Sequence, residues 1–251
     1  MKKTITVLAL LAAITLTTAF ATTVDEGTKI LKIIDGQSNF EGSDFSATLS
    51  MISEDPEDGI DKTVVYQFRD DDGDKFLMLI KEPTINKGQG YLKIDDNLWF
   101  YDPSSRKFSH TSMKEQFNNS DANNSDFTSS SLLEDYKVVG VDEGKLGSYE
   151  VNILSLEALN DEVTYPTQKL YVAKNGNVTL KKEEFSKNNT LLRSSYFTKY
   201  QVVDGNYMPT YMIYQDELVE GKKTTIQIRN ISTADLPDSV FTKSYIERVN
   251  N

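Results

Sequence analysis

The sequence predicts a mainly antiparallel β protein of the α+β class, in which about 11–12 strands form a half-open, curved barrel covered by short helices. Three observations support this fold class. Polar and apolar residues alternate with the two-residue period of strands over most of the chain. Turn-forming pairs such as Asn175-Gly176 and Asp204-Gly205 separate these runs. Helical patterns are confined to a few short segments.

Residues 1–21 have the features of a cleavable signal peptide. Lys2 and Lys3 precede an apolar stretch over residues 5–16, and Ala19-Phe20-Ala21 fits an A-x-A cleavage site. The apolar stretch is too short for a membrane anchor, and no later segment reaches the roughly 18 apolar residues that a membrane span needs. We therefore expect an exported protein that does not span the membrane and has a single domain over residues 22–251.

The first part of the exported chain predicts a helix followed by strands. Asp25 and Glu26 lie near the start of a helical pattern over residues 22–36, and Gly36 is placed to end the helix with a left-handed residue. The pattern then changes to alternation. We expect strands over residues 45–51, 64–69 and 75–81.

An aromatic-rich stretch over residues 90–112 predicts three short strands in a meander. Asp95-Asp96-Asn97 marks the first turn, and Asp102-Pro103-Ser104-Ser105 marks the second, with proline where a type I turn prefers it. The stretch contains Trp99, the only tryptophan of the chain. We expect these strands to contribute to a sheet with one large apolar face.

The middle of the chain breaks the strand pattern. Residues 113–130 are dominated by Asn, Ser and Asp, which predicts a loop with low burial. A short helix over residues 132–136 follows, and residues 237–249 predict a short closing helix. Between these helices we expect a second series of strands over residues 149–156, 169–174, 178–185, 191–203, 207–216 and 223–231.

Composition and motifs argue against several classes of function. The chain has no cysteine and a net charge of -11, which argues against a disulfide scaffold and against nucleic acid or anionic lipid surfaces as partners. The acidic run Asp70-Asp71-Asp72-Gly73-Asp74 has Lys81 where an EF-hand needs its bidentate glutamate, so we expect a hairpin turn and no metal. His110 is the only histidine, and no nucleophile motif accompanies it. We expect no cofactor and no enzymatic activity.

A large apolar surface remains, and two uses of it are open. Its residues fill an ordinary core, or some of them line a cavity that takes an apolar ligand. Strand parity alone does not decide whether Trp99 and Tyr101 or Leu98 and Phe100 share a face with the first strands. The candidate ligand-binding residues are Phe45, Leu49, Tyr66, Phe68, Leu92, Trp99 and Tyr101.

Three segments together resemble a known family. They are GYLKIDDNLWFYDPSSRKFSHTS from Gly90, SDFTSSSLLEDYKVVG from Ser125 and LPDSVFTKSYIERV from Leu236. In sequence and order they are similar to the LolA-like family of periplasmic carriers for the sorting of outer-membrane lipoproteins. The resemblance implies a LolA/LolB-like half-open barrel whose mouth is covered by helices. It also implies that a strand arginine latches the lid, for which the candidates are Arg69, Arg106, Arg193 and Arg229.

The resemblance completes the functional prediction. It implies a soluble periplasmic carrier that shields the acyl chains of a lipid or lipoprotein on the way to the outer membrane. An inner-membrane exporter of the resistance-nodulation-division (RND) type is the implied donor, and we expect the carrier to be a monomer. The alternative is a non-catalytic structural or regulatory subunit of an envelope transport complex, which uses the same fold with a closed core.

Overall fold

The helices in the described part of this protein are few and short. The computed structural model describes residues 22–94 and 96–250, so the predicted signal peptide lies outside the described residues. Among the described helices, none has the length and apolar character needed to cross a membrane. The α-helices are α1 (Val24–Gln37), α2 (Leu132–Asp135) and α3 (Lys243–Val249).

Helix α1 has a well-defined start. The hydroxyl of Thr23 accepts from the backbone N–H of Glu26, and the carboxylate of Glu26 accepts from the backbone N–H of Thr23. This capping box satisfies two N–H groups that a helix start leaves without partners. The expected left-handed stop at Gly36 is wrong, because the helix continues to Gln37 and its C-cap residue, Ser38, lies in the right-handed region.

Strands make up most of the fold. In chain order they are β1 (Asp44–Asp55), β2 (Gly59–Asp70), β3 (Lys75–Glu82), β4 (Gly90–Ile94), β5 (Asn97–Asp102), β6 (Lys107–Thr111), β7 (Tyr136–Leu146), β8 (Tyr149–Ala158), β9 (Thr167–Ala173), β10 (Thr179–Phe185), β11 (Leu191–Val203), β12 (Asn206–Asp216) and β13 (Lys223–Ser232).

Within the described residues these strands form one 13-stranded antiparallel sheet, in the order β6-β5-β4-β3-β2-β1-β13-β12-β11-β10-β9-β8-β7. Each pair of neighbours is also adjacent in sequence except for β1 and β13, which join the two halves of the chain. The sheet is curved and open, with β6 and β7 as its edges. The predicted α+β class with a half-open antiparallel sheet is confirmed.

The sequence prediction missed strand β7. Its sequence contains Gly140 and Gly144, and glycine inside a strand weakens the pattern on which strand prediction depends. In the folded protein, β7 pairs with β8 along its length and α1 lies against it. The helix comes close because residue 27 is glycine, where a Cβ atom would lie 2.5 Å from Cγ2 of Val141.

The two faces of the sheet are covered by different parts of the chain. We call the face toward α1 and residues 112–131 the inner face, and the opposite one the outer face. On the inner face, Leu31 and Ile34 of α1 pack on residues of β7, β8 and β9. On the outer face, Phe241 and Ile246 pack on residues of β3, β4 and β5. The predicted closing helix forms in two parts, a 3-10 turn at Asp238–Phe241 and helix α3.

Residues 112–131, which we call the strap, cross the inner face from one sheet edge toward the other. The expectation of low burial is wrong, since Phe117 and Asn124 are each only 1% exposed. Hydrogen bonds make this burial of polar residues possible. The side chain of Asn124 donates to the carbonyl of Ser112 at 2.8 Å, and Gln67 of β2 donates to the carbonyl of Phe127 at 2.6 Å.

Candidate functional site

A cavity of about 980 Å³ lies on the inner face. It is bounded by α1, the strap, the loop at residues 162–165 and strands β9 to β13. Cavities of roughly 300–1,000 Å³ take small organic ligands, so this one has room for an extended apolar chain. The strap fills the neighbouring part of the inner face, where Phe117 and Phe127 join the largest apolar cluster.

One part of the cavity wall is apolar. Methionine is well suited to such a wall, because its flexible, polarisable side chain adapts to ligands of different shape. Strand β12 contributes two methionines at alternate inward positions, and neighbouring strands contribute aromatic and branched side chains. The apolar lining includes Leu170, Val178, Phe197, Met208, Met212 and Ile228.

The polar part of the wall is organised by Arg193 on β11. Its guanidinium donates from Nε and Nη2 to the carboxylate of Glu184, at 2.5 and 2.8 Å. It donates from both Nη atoms to the carboxylate of Asp126, at 2.6 and 3.0 Å, and from Nη1 to the carbonyl of Asp121 at 2.9 Å. Arginine has five N–H donors, so every one of them is used. Because Asp121 and Asp126 belong to the strap, Arg193 fastens the strap to the sheet.

The charges around Arg193 stabilise one another. Burial raises the pKa of the Asp126 carboxyl, but Arg193 and Lys182 together lower it below its usual value. Burial lowers the pKa of Arg193, and the charges of Asp126 and Glu184 raise it well above the ordinary value. The guanidinium also lies 4.9 Å from the ring centroid of Tyr165, whose pKa burial raises to about 12. Arg193 and Asp126 therefore remain charged in the folded protein.

A second ion pair fixes the connection between α1 and β1. Arg69 on β2 donates to both carboxylate oxygens of Asp71, at 2.9 and 2.6 Å, and to the carbonyl of Ser38 at 3.0 Å. Asp71 also accepts from the backbone N–H of Phe40 at 2.9 Å. The acidic run at residues 70–74 thus forms a hairpin turn that holds this connection. Within the described ranges, no group of three or more His, Asp or Glu side chains is placed to hold a metal ion.

Within the described residues, no side-chain hydrogen bond or ion pair joins either of the other two candidate arginines to the strap. Arg106 has a φ of 54° in the turn between β5 and β6. Arg229 lies on β13, where its Nη2 donates to the side chain of Gln227. Of the four arginines that the resemblance suggested, Arg193 is the one that joins the strap to a strand.

The structure does not bring the seven predicted ligand-binding residues onto one face. Phe45 and Leu49 are fully buried on the inner face. The other five lie on the outer face, where most pack with the C-terminal segment and Tyr66 is 40% exposed. None of the seven lines the cavity. Ligand binding by the seven residues stays a prediction. The five on the outer face are Tyr66, Phe68, Leu92, Trp99 and Tyr101.

The register of the hairpins shows on which face of the sheet the residues of β5 lie. Phe45 lies opposite Arg69, which puts Phe68 on the other side of β2. Phe68 lies opposite Leu77, Leu77 lies opposite Leu92, and Leu92 lies opposite Trp99. Residues directly opposite each other in antiparallel strands share a face, so Trp99 lies on the same face as Phe68. Leu98 and Phe100, by contrast, pack with the inner-face cluster.

His110 and Trp99 form an aromatic contact on the outer face. Their ring centroids are 3.6 Å apart, and the ammonium group of Lys243 lies 3.1 Å from the centroid of the Trp99 ring. His110 is exposed, and it lies on edge strand β6, away from the cavity.

Comparisons with known proteins identify the family and the fold. A family model described as "-like: Uncharacterized protein" matches residues 72–248. The chain belongs to this family. No curated protein matches the chain significantly.

Solved structures show that the fold is LolA-like. A LolA superfamily protein from Nitrosomonas europaea has a TM-score of 0.74 at 23% identity, over 86% of this chain and 97% of that one. A putative outer membrane lipoprotein-sorting protein domain from Vibrio parahaemolyticus has a TM-score of 0.79 at 21% identity, over 90% of this chain and 100% of that one. A DUF1329 family protein from Desulfovibrio piger has a TM-score of 0.77 at 21% identity, over 89% of this chain and 98% of that one. The LolA-like fold that the resemblance implied is confirmed.

Sequence reasoning missed most of the residues that line the cavity of this LolA-like sheet. Met208 and Met212 lie on one face of β12, and their spacing of four residues is the signal that could have found them. Glu184 and Arg193 occupy directly opposite positions on β10 and β11. Counting outward from the turn at Lys187 would have paired Glu184 with Leu192, because a register shift between Glu184 and Phe185 brings Arg193 opposite Glu184 instead.

Proposed function

We propose that this protein is a periplasmic carrier that binds the acyl chains of a lipid or lipoprotein in the inner-face cavity and carries them toward the outer membrane. The observation that carries this proposal is the cavity of about 980 Å³ between the sheet, α1 and the strap. Each methylene moved out of water contributes about 0.8 kcal/mol, so a chain of a dozen carbons needs an apolar enclosure to cross an aqueous space.

Several further features support this proposal. The features of a signal peptide in residues 1–21 support export. One similar structure is described as a putative outer membrane lipoprotein-sorting protein domain, which supports a lipidated cargo. The carrier acts without catalysis and as a monomer, and it receives cargo from an RND-type exporter of the inner membrane. Co-purification of exporter and carrier from a cross-linked envelope is the test for this partner.

The alternative is a structural or regulatory subunit with a closed core. That function needs a filled interior and no ligand. The strap does fill part of the inner face, where Phe117 and Ala122 are almost fully buried. The cavity next to it remains, and this observation favours the carrier.

Native mass spectrometry with lipid extraction tests the proposal directly. Protein purified without detergent should carry lipid or bind a dodecyl-chain fluorescent probe with one site per chain. Val178→Trp places an indole in the cavity and should abolish binding, because Val178 lines the wall. Val139→Trp is the matched control, since Val139 is 43% exposed on β7 and does not line the cavity. Absence of binding in the unmodified protein, or equal binding by both variants, would contradict the proposal.

A further inference from the structure

The charges around the cavity indicate which head groups it accepts, an inference that rests on the proposed function. Among the residues that the structure describes, those lining the cavity include ten carboxylates and four cations. The cations are Arg69, Lys93, Lys182 and Arg193. Whether an anionic ligand finds a partner here depends on how many of these cations are free.

None of the four cations is free. Arg193 uses all five N–H donors within the protein, as described above. The ammonium of Lys182 lies 2.7 Å from Glu184 and 3.6 Å from Asp126. Arg69 is paired with Asp71, and Lys93 is paired with Asp74. Each cation is therefore neutralised by a carboxylate of the same wall.

Six carboxylates of the wall remain without a cation. None of them forms an ion pair within residues 22–94 and 96–250. Asp35, for example, accepts only from the hydroxyl of Ser130 at 2.6 Å and the backbone N–H of Leu132 at 2.8 Å, which leaves its charge unbalanced. The six are Asp35, Glu41, Asp72, Glu134, Asp135 and Glu162. The cavity and its mouth therefore carry a net negative charge.

A buried amide in the cavity wall also favours a ligand that donates hydrogen bonds. Gln168 is 6% exposed and lines the cavity, and its Oε1 has no hydrogen-bond partner in the described structure. The orientation of the amide is fixed, because its Nε2 donates to the hydroxyl of Tyr136 and that hydroxyl donates to the carbonyl of Tyr165. The unpartnered atom is thus an acceptor, which suits a ligand that donates.

We propose that the cavity selects amphiphiles whose head group donates hydrogen bonds and carries no negative charge, such as hydroxyl, amide or ammonium heads. Fatty acids and acidic phospholipids are disfavoured. An anionic head would be moved from water into a region where every cation is already paired, and uncompensated carboxylates would repel it. Most of the unpaired carboxylates are exposed at the mouth, so the repulsion weakens as salt is added.

Three probes with the same twelve-carbon chain test this inference: dodecyl maltoside, dodecylammonium and dodecanoate at pH 8, each below its micellar concentration. We expect dodecanoate to bind about tenfold more weakly than the maltoside at low ionic strength, and the difference to shrink in added salt. The ammonium probe should bind at least as tightly as the maltoside. Equal affinities for all three, or a preference for dodecanoate, would overturn the inference while leaving the carrier function intact. No binding of any probe would instead contradict the carrier function itself.

A pair of triple variants distinguishes the effect of charges at the cavity from the effect of the protein's net charge. Replacing Glu41, Glu134 and Glu162 by glutamine should bring the affinity for dodecanoate close to that for the maltoside. The control replaces Glu57, Glu150 and Glu220 by glutamine, three exposed residues that do not line the cavity. It makes the same change in net charge and should leave the difference in place. If both triple variants act equally, the selection does not arise at the cavity.

Discussion

Replacing Arg193 by methionine should destabilise the fold by about 3 kcal/mol. Breaking a buried ion pair by removal of one partner costs about 3–5 kcal/mol, because the remaining charge is left uncompensated. In this protein two carboxylates lose their partner at once, and the side chains of Glu184 and Asp126 are 1% and 8% exposed. Lys182 stays within 2.7 Å of Glu184 and supplies part of the missing charge, which places the loss near the lower end of this range.

Urea denaturation measures this loss through the fluorescence of Trp99 and through far-UV circular dichroism. Trp99 is the only tryptophan and lies on the outer face, so it reports unfolding without contact to the substituted site. Arg229→Met is the matched control and should change the free energy of unfolding by less than about 0.5 kcal/mol, since that residue is exposed. Combining R193M with Glu184→Gln and Asp126→Asn should recover a large part of the stability.

A loss below about 1 kcal/mol in R193M, or a triple variant less stable than R193M, would contradict this expectation. The first result would mean that the fold does not depend on the charge of Arg193. The second would mean that Glu184 and Asp126 stabilise the protein by contacts that do not involve this arginine.

Three further predictions concern pH, packing and the tryptophan. The pKa of Asp126 in the folded protein lies below its unfolded value of 3.8. The stability that its ionised form contributes is therefore present above that pH and is lost as the pH falls through the folded pKa. The difference in free energy of unfolding between R193M and the unmodified protein, measured in urea titrations, should therefore narrow below about pH 4. Gly27→Ala should lower the free energy of unfolding by about 1–3 kcal/mol, since the new methyl group would lie 2.5 Å from Val141. Gly36→Ala in the same helix should instead raise the free energy of unfolding by about 0.5–1 kcal/mol, because no atom lies within 4 Å of the new methyl group. Trp99→Ala should cost about 1–3 kcal/mol by circular dichroism and leave binding of the dodecyl probe unchanged, because its ring packs with Lys243 on the outer face.

Each of these predictions has an outcome that contradicts it. A constant stability gap between pH 7 and pH 3 would show that the ionisation of Asp126 is not linked to Arg193. Equal effects of alanine at Gly27 and Gly36 would show that α1 does not approach β7 as closely as the structure has it. A loss of probe binding in W99A with an unchanged melting temperature would assign Trp99 to the ligand site.

Local patterns were sufficient to predict most of the sheet. The strands around the turns at Asn175-Gly176 and Asp204-Gly205 carry alternating residues, and each pairs with its sequence neighbour. Such hairpins are determined by short-range sequence, so their existence and order follow from it. Strand β7 escaped prediction because its pattern is weak, and it is held in place by β8 and α1.

The candidate site was harder to predict, because it depends on contacts between distant segments. Residues 113–130 are polar and have the composition of an exposed loop, yet Arg193 and Gln67 supply the hydrogen bonds that make their burial possible. Those donors lie more than 50 positions away in the sequence. The face on which Trp99 lies was likewise undetermined, since a shift of one residue in register moves a side chain to the opposite face.

The β1–β13 ladder has a consequence for how the protein folds. Each half of the sheet consists of local hairpins, which form in about 1–10 μs in isolation. Pairing Leu49 with Ile228 instead closes a loop of about 180 residues. The chain loses conformational entropy in this closure before the contacts between β1 and β13 can stabilise it. We therefore expect this ladder to form in the slowest step, so that substitutions at Met51 or Ile226 slow refolding more than substitutions within either half. Arg193 on one half contacts the strap that leaves the other, so the cavity is complete only after this step. For the proposed carrier, the uptake of an acyl chain therefore follows the completion of the sheet.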